Sequence, residues 1–303
     1  MGFRIIIIES ETIISIKLGN LIIEKEDKKL WIPIDDISVI IIDNLKTTLT
    51  SRMLCLLAEH NTGVIFCNHE HLPIGFYCSY DNHSHISKTI QYQINAGTIY
   101  YNKLWQLIVQ AKIINQYKVL KLFNKNPSAI TQLKTFCEEV TEGDTTNREA
   151  HAAKVYFNTL MGCSFSRGND ELLLNSGLNY GYAIFRSYLA KSCVSYGLNS
   201  QLGIHHRNEF NRFNLVDDLI EPFRPFVDYY AYLLLKDEKY FKIEHRHKLV
   251  NLLNHKIIYN KKKMFLCNAM EEYVSGIASC ISKKQMEIIF PDIEQYLGEP
   301  DEI

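Results

Sequence analysis

Ser79-Tyr80-Asp81-Asn82-His83-Ser84-His85-Ile86-Ser87 is the stretch on which the fold turns. It is polar, lacks apolar spacing of either period, and reads as a linker. Before it, apolar residues come in short β-branched runs; after it, they recur at helical spacing over long segments. The expected class is therefore α+β. Residues 1–80 would form a β-rich N-terminal domain with one helix, 81–87 the linker, and 88–303 a larger all-helical domain.

Working back from the linker, Val64–Cys67 and Leu72–Cys78 read as strands, and Thr50–His60 as a helix with Thr50 as N-cap and Gly63 near its stop. Ile37–Ile42 is an almost unbroken isoleucine and valine run, the pattern of a strand covered on both faces. Arg4–Ile8, Ile13–Lys17, Asn20–Glu24 and Leu30–Ile34 are further strands, with Leu18-Gly19-Asn20 as a turn. Forward of the linker, helices are expected over Lys88–Phe123, Ala129–Val140, Thr146–Met161, Leu178–Tyr196, Leu215–Leu235 and Met264–Ser282. Lys236–Lys263 carries nine Lys or Arg against three acids, and Met286 onward carries six acids and no Lys or Arg, which reads as a solvated tail.

The chain has 303 residues, 47% hydrophobic and 22% charged, enough to bury a core and not the composition of a disordered polymer. Its net charge of −1 means that any attraction to nucleic acid must come from local patches or bound cations. The opening Ile5–Ile8 run is too short for a signal core or a membrane span. The eight cysteines form no CxxC, so buried free thiols and a cytoplasmic location are expected.

Three segments could carry chemistry: Asn147-Arg148-Glu149-Ala150-His151, Gly203-Ile204-His205-His206, and Asp217-Asp218-Leu219-Ile220-Glu221-Pro222-Phe223-Arg224-Pro225. Together they supply carboxylates and an imidazole, the donors that hold Mg²⁺ or Mn²⁺ for phosphodiester chemistry. Asp218 and Glu221 are three apart and share a helix face, while Pro222 and Pro225 would kink the chain directly after them. Each segment also has a plain structural reading. Thr146-x-x-Glu149 is a capping box, the acids at 217, 218 and 221 could face a helix dipole, and His205 and His206 could be surface histidines. None of Glu149, His206 and Glu221 is expected in the core.

What unites them is their order around Asn175-Ser176-Gly177-Leu178-Asn179-Tyr180-Gly181-Tyr182-Ala183. NREAHAAKVYFN, NSGLNYGYA, GIHH and DLIEPFRP in succession, spanning Asn147 to Pro225, resemble the CRISPR-associated integrase (CRISPR-associated protein one) in its type II form. The resemblance implies a β domain used for dimer contact and a helical catalytic domain with one metal site. It matches Glu149, His206 and Glu221 to the family's ligands. Counting back from Glu221 by fifteen residues, the separation in the family's motif, favours His206 over His205. Asp218 and Arg224 are given auxiliary places. The implied activity is metal-dependent endonuclease and integrase chemistry in antiviral adaptive immunity. It joins the 3′-hydroxyl ends of spacer DNA into a CRISPR repeat. The implied partners are double-stranded DNA, a second copy of the chain, a small CRISPR-associated partner dimer and further adaptation proteins.

Direct transesterification needs no nucleotide cofactor, and no G-x-x-x-x-G-K-[ST] loop is present. Arg148, Lys154, Arg207, Arg212 and Arg224 lie close to the acids and could meet DNA phosphates. Two other readings remain open at this stage. One is a metal-dependent nuclease that cuts without joining. The other is a non-enzymatic, zinc-stapled nucleic-acid-binding module built on Cys67, His69, His71, Cys78, His83 and His85, although their spacing fits no familiar finger.

Overall fold

The structure, a computed structural model, describes residue 2 and residues 4–25, 28–79, 84–169 and 172–299. Residues 80–83 of the expected linker, and His83 with them, lie outside the described residues.

In chain order the first part contains β1 (Arg4–Ile8), β2 (Ile13–Lys17), β3 (Asn20–Lys25), β4 (Lys28–Pro33), β5 (Ile37–Ile42), β6 (Thr48–Leu49), α1 (Ser51–Glu59), β7 (Gly63–Cys67) and β8 (Pro73–Tyr77). One four-stranded sheet runs β1-β5-β7-β8, with β1, β5 and β7 parallel and β8 antiparallel. The other runs β4-β3-β2-β6. All six residues of β5 are buried, as its sequence requires. The period-2 alternation of a strand divides them: Ile40 and Ile42 join a small core with Ile14, Leu21 and Leu57, while Val39 and Ile41 join the large helical core. The central strand thus belongs to two cores at once. Thr50 caps α1 by accepting from the Met53 amide, and the left-handed residue after that helix is Asn61 (φ 55), two positions before Gly63.

The second part is predominantly helical: α2 (Ile86–Asn95), α3 (Thr98–Leu122), α4 (Pro127–Glu138), α5 (Arg148–Met161), α6 (Leu173–Ser195), α7 (Asn214–Leu219), α8 (Arg224–Leu235), α9 (Ile243–Asn251) and α10 (Leu266–Lys283). The α+β class therefore holds, with two corrections of detail. The expected helix over 88–123 is broken at Gly97 (φ 86), and three short strands, β9 (Lys256–Tyr259), β10 (Lys262–Phe265) and β11 (Tyr296–Gly298), form an antiparallel sheet ordered β10-β9-β11. The remainder is therefore not all-helical. The lysine-rich run Lys236–Lys263 contains α9, and its end enters a β-hairpin whose tip is Asn260 and Lys261, both at positive φ.

The acidic segment is not a solvated tail over its described length. Asp292 and Glu294 pair with Lys118 at 2.7 and 3.3 Å, Glu294 with Lys121 at 2.8 Å, and Ile293 is buried. α3 carries those lysines and runs through the middle of the helical part. The two glycines of the NSGLNYGYA tract set the approach of α6 to α8: a Cβ at Gly177 would meet Leu235 at 2.3 Å, and one at Gly181 would meet Val227 at 2.5 Å.

Candidate active site

The start of α5 is fixed by Asp144, whose carboxylate accepts from the Arg148 and Glu149 amides at 2.8 and 3.0 Å. Asn147 adopts a left-handed conformation (φ 53) and makes no side-chain cap. Asp144 thus takes the capping role, and the Glu149 carboxylate points elsewhere, accepting from Lys112 Nζ of α3 at 2.6 Å. Glu221, in the 3₁₀ turn Glu221–Phe223, places Oε2 2.5 Å from the same Lys112 nitrogen. That contact is an ion pair without hydrogen-bond direction. Glu221 Oε1 accepts from Arg224 Nε at 2.8 Å, and the Arg224 guanidinium lies over the Tyr182 ring at 4.6 Å. The expected kink after the carboxylates is present: the 3₁₀ turn carrying Pro222 separates α7 from α8, and Pro225 sits in the first turn of α8.

Glu149, Glu221, Lys112 and Arg224 form a charge-balanced group closed by α3, α5 and the α7–α8 turn. Lys112 is almost fully buried, Glu221 side-chain exposure is 5%, and Glu149 and Arg224 are the open members at 24% and 26%. Glu221 is therefore a buried residue, contrary to the expectation from sequence. Burial pushes its carboxyl upward, but Arg224 and Lys112 outweigh that and hold it at about 2. Burial likewise opposes charge on Lys112, yet Glu149 and Glu221 hold its ammonium above the ordinary range.

His206 is placed by Asp218, which is fully buried on α7. Its carboxylate accepts from three successive amides, Ile204 at 2.6 Å, His205 at 3.0 Å and His206 at 3.2 Å, and contacts His206 Nδ1 at 2.6 Å. Gly203 is required at this turn, because a Cβ there would stand 2.2 Å from the His206 carbonyl oxygen. The Asp218 hydrogen bond raises the His206 pKa against the opposing effect of burial, and the charges of Asp218, Glu221 and Glu149 add to it. His205 is spent differently, stacked on Trp105 at 4.5 Å with planes 4° apart.

Among the described residues, no three His, Cys, Asp or Glu side chains already stand at metal-holding separations. What the structure brings together is the glutamate pair, closed on Lys112. The zinc cluster does not assemble among the described residues either. His71 contacts Asp43 at 2.8 Å, and Cys67 is buried in β7 with its thiol pushed up to about 12 by burial. Two of the five expected phosphate-contacting residues are engaged within the protein: Arg148 pairs with Glu139 at 3.1 Å and Arg224 with Glu221. Arg207 and Arg212 line a cavity of about 640 Å³ beside His206, with Asn208, Asn211 and Tyr101.

Sequence reasoning missed Lys112, Asp144 and Trp105. Lys112 did carry a signal, as the single charge in the apolar run Leu104–Ile114. A lysine on such a face is almost never buried without a carboxylate partner.

The model of the family described as CRISPR associated protein Cas1 matches residues 5–252. The chain is 34% identical over 298 residues to the CRISPR-associated endonuclease Cas1 of Neisseria meningitidis serogroup C (strain 8013), covering 97% of each. It is 26% identical over 302 residues to a second CRISPR-associated endonuclease Cas1, from Francisella tularensis subsp. novicida (strain U112), covering 89% of this chain and 93% of that one. Among solved structures, the fold resembles a casposase bound to integration product (TM-score 0.77, 19% identity, covering 100% of this chain and 96% of that one). It also resembles a Cas1 protein from Thermotoga maritima (TM-score 0.70, 19% identity, covering 92% and 97%). At those identities the structural likeness speaks for the fold alone, whereas the sequence matches speak for descent. The chain belongs to the CRISPR-associated Cas1 family.

Proposed function

We propose that this chain is a DNA endonuclease and integrase of CRISPR spacer acquisition. In this reading it joins the 3′-hydroxyl ends of new spacer DNA into a CRISPR repeat by transesterification, with Mg²⁺ or Mn²⁺. The observation that carries the proposal is the convergence of Glu149 and Glu221 on one cation, beside a histidine oriented by a buried aspartate. The Neisseria relative is named an endonuclease, which supports the reaction class, and the casposase that this fold resembles is bound to an integration product.

Two carboxylates and an imidazole suit a hard divalent ion, and the carboxylates already close on a positive charge. Glu149, His206 and Glu221 would hold the ion, and when bound it supplies Lewis acidity toward the scissile phosphate. The chain's own residues prepare the site. Arg224 keeps Glu221 ionised and aimed. Asp218 engages His206 Nδ1, so Nε2 is the nitrogen available as a ligand, the arrangement in which a carboxylate fixes a ligand histidine. In the joining step the 3′-hydroxyl oxygen of the incoming end forms a bond to phosphorus as the repeat's own bridging oxygen leaves as a new 3′-hydroxyl. One phosphodiester replaces another.

Double-stranded DNA would be held by local positive surface, since the net charge is only −1. Arg207 and Arg212 at the cavity and Lys261, Lys262 and Lys263 at the β9–β10 hairpin are the candidates. We assign residues 1–80 to a dimerisation domain and 88–303 to catalysis, working as a homodimer with a small CRISPR-associated partner dimer. In support, the fold resembles a chain of a solved Cas6-RT-Cas1–Cas2 complex (TM-score 0.71, 19% identity, covering 94% of this chain and 35% of that one). None of the described helices is long and apolar enough to cross a membrane.

The test is covalent joining of labelled DNA ends to a target duplex with Mg²⁺ or Mn²⁺ supplied. Glu149→Gln should abolish joining, because the amide lacks the charge a hard cation needs. Joining at near-parent rates in Glu149→Gln would overturn the metal assignment. Release of fragments without joined product in the parent protein would assign a nuclease instead.

A further inference from the structure

We infer that Lys112 is the resident counter-cation of the site, a positioning residue that holds Glu149 and Glu221 together in the metal-free protein and must leave that point for a divalent ion to enter. The inference rests on the metal reading above and extends it to the control of metal affinity.

The geometry makes the two occupants exclusive. Lys112 Nζ stands 2.6 Å from Glu149 Oε1 and 2.5 Å from Glu221 Oε2, at the point where the carboxylates converge. A divalent ion bound to the same oxygens, at about 2.0–2.6 Å, would occupy nearly the same point. An ammonium left there would repel it by many times thermal energy, even at the effective dielectric of a protein surface.

The exit is asymmetric. When Lys112 leaves, Glu221 keeps Arg224 at 2.8 Å, whereas among the described residues the ion pair of Glu149 is with Lys112 alone. Glu149 is also the more open carboxylate, 24% exposed against 5%. The ammonium sits on a flexible four-carbon stem and can swing past Glu149 while α3 stays fixed by its buried face. The site would then be assembled before metal arrives, with its charge balanced. Lys112 keeps two carboxylates from repelling one another and sets the threshold that an incoming ion must exceed.

The experiment follows Mn²⁺ binding to the full chain without DNA, by electron paramagnetic resonance of the free ion, together with thermal melting in the presence and absence of Mn²⁺. Lys112→Met should lower the metal-free melting temperature and tighten Mn²⁺ binding by at least about tenfold. The rise in melting temperature on adding Mn²⁺ should exceed the parent's. Lys112→Arg keeps a permanent charge on a forked group that can engage both carboxylates. It should weaken Mn²⁺ binding by about tenfold or more and shrink that rise.

Opposite signs in the two variants support the inference. A lysine with a purely structural role would move both variants in one direction, and that result overturns it, as does Mn²⁺ affinity unchanged in both. If Lys112→Met does not fold, Lys112→Arg decides, and parent-like Mn²⁺ binding by Lys112→Arg overturns the inference. Glu149→Gln and Glu221→Gln separate the two levels. If parent Mn²⁺ binding survives both, the metal reading falls and takes this inference with it. If both abolish binding while the Lys112 variants fail as described, only this inference falls.

Discussion

Among the described residues, the helical part contains two buried lysine–glutamate clusters built from the same chemistry. Lys191 and Glu271 meet at 2.6 Å with side chains 5% and 6% exposed, and the same carboxylate oxygen accepts from Tyr188 at 2.9 Å. Lys112 meets Glu149 and Glu221 at similar distances, but one ammonium serves two carboxylates and one of the three side chains opens to solvent. In the first cluster one cation faces one anion in a sealed setting that fastens α6 to α10. In the second, the cation is shared and reachable. What separates a structural pin from a site able to exchange its cation is the ratio of partners and the access, not the residue types.

The sharpest way to break this contrast is to neutralise one carboxylate in each cluster. Glu221→Gln should reduce joining by at least about 10²-fold, the scale on which preorganised charge at a reacting centre acts. Glu271→Gln leaves Lys191 charged and buried, so it should cost about 3–5 kcal/mol of stability. Joining per folded molecule should stay near the parent rate at a permissive temperature. Joining rates and denaturant melts of both variants check this, and a Glu271→Gln protein that folds normally but joins poorly would erase the distinction.

A smaller effect sharpens it at the histidines. Asp218→Asn keeps the volume of the group that gathers three amides and His206, but removes the charge they share. Joining should fall about 10–100-fold, as for other residues that orient a metal ligand. His206→Ala should remove joining, while His205→Ala, which loses stacking on Trp105 and an edge contact with the His206 ring, should leave much of it. A reversed histidine result would move the ligand to His205.

The smallest expected change is at the β9–β10 hairpin. Replacing Lys261, Lys262 and Lys263 with Gln should weaken DNA binding and flatten its logarithmic salt dependence by up to about 2–3, because fewer counterions are released. Unchanged affinity and slope would remove this surface from the DNA-binding reading.

The fold was legible wherever one period persisted. The isoleucines of β5 and the glycine-spaced tract of α6 are local patterns with a single good solution. Glu149 and Glu221 could be singled out because their segments carry distinctive order, but nothing local says that both turn toward Lys112. That depends on how α3 threads between α5 and the α7–α8 turn, a tertiary fact. Asp144 was missed because the left-handed Asn147 shifts the cap three residues upstream, where a Thr-x-x-Glu pattern suggests a different one. β9 and β10 were missed because strands of four residues with charged positions resemble a solvated charge run. β11 escaped notice because its partner strand lies some forty residues earlier.

Asn115 lies one turn beyond Lys112 on α3, and its side chain is a junction. Its amide donates to the carbonyl oxygens of Pro222 and Pro291, each at 2.9 Å, and its own oxygen accepts from the Ile293 amide at 3.0 Å. Two of these three bonds come from a segment synthesised about 180 residues after Asn115 itself. A nascent chain still short of residue 291 therefore holds all of the catalytic candidates and the Asn115–Pro222 bond, but lacks the two bonds that fasten α3 to the C-terminal segment. The junction beside the candidate site is thereby completed only when one of the last parts of the described chain has been made.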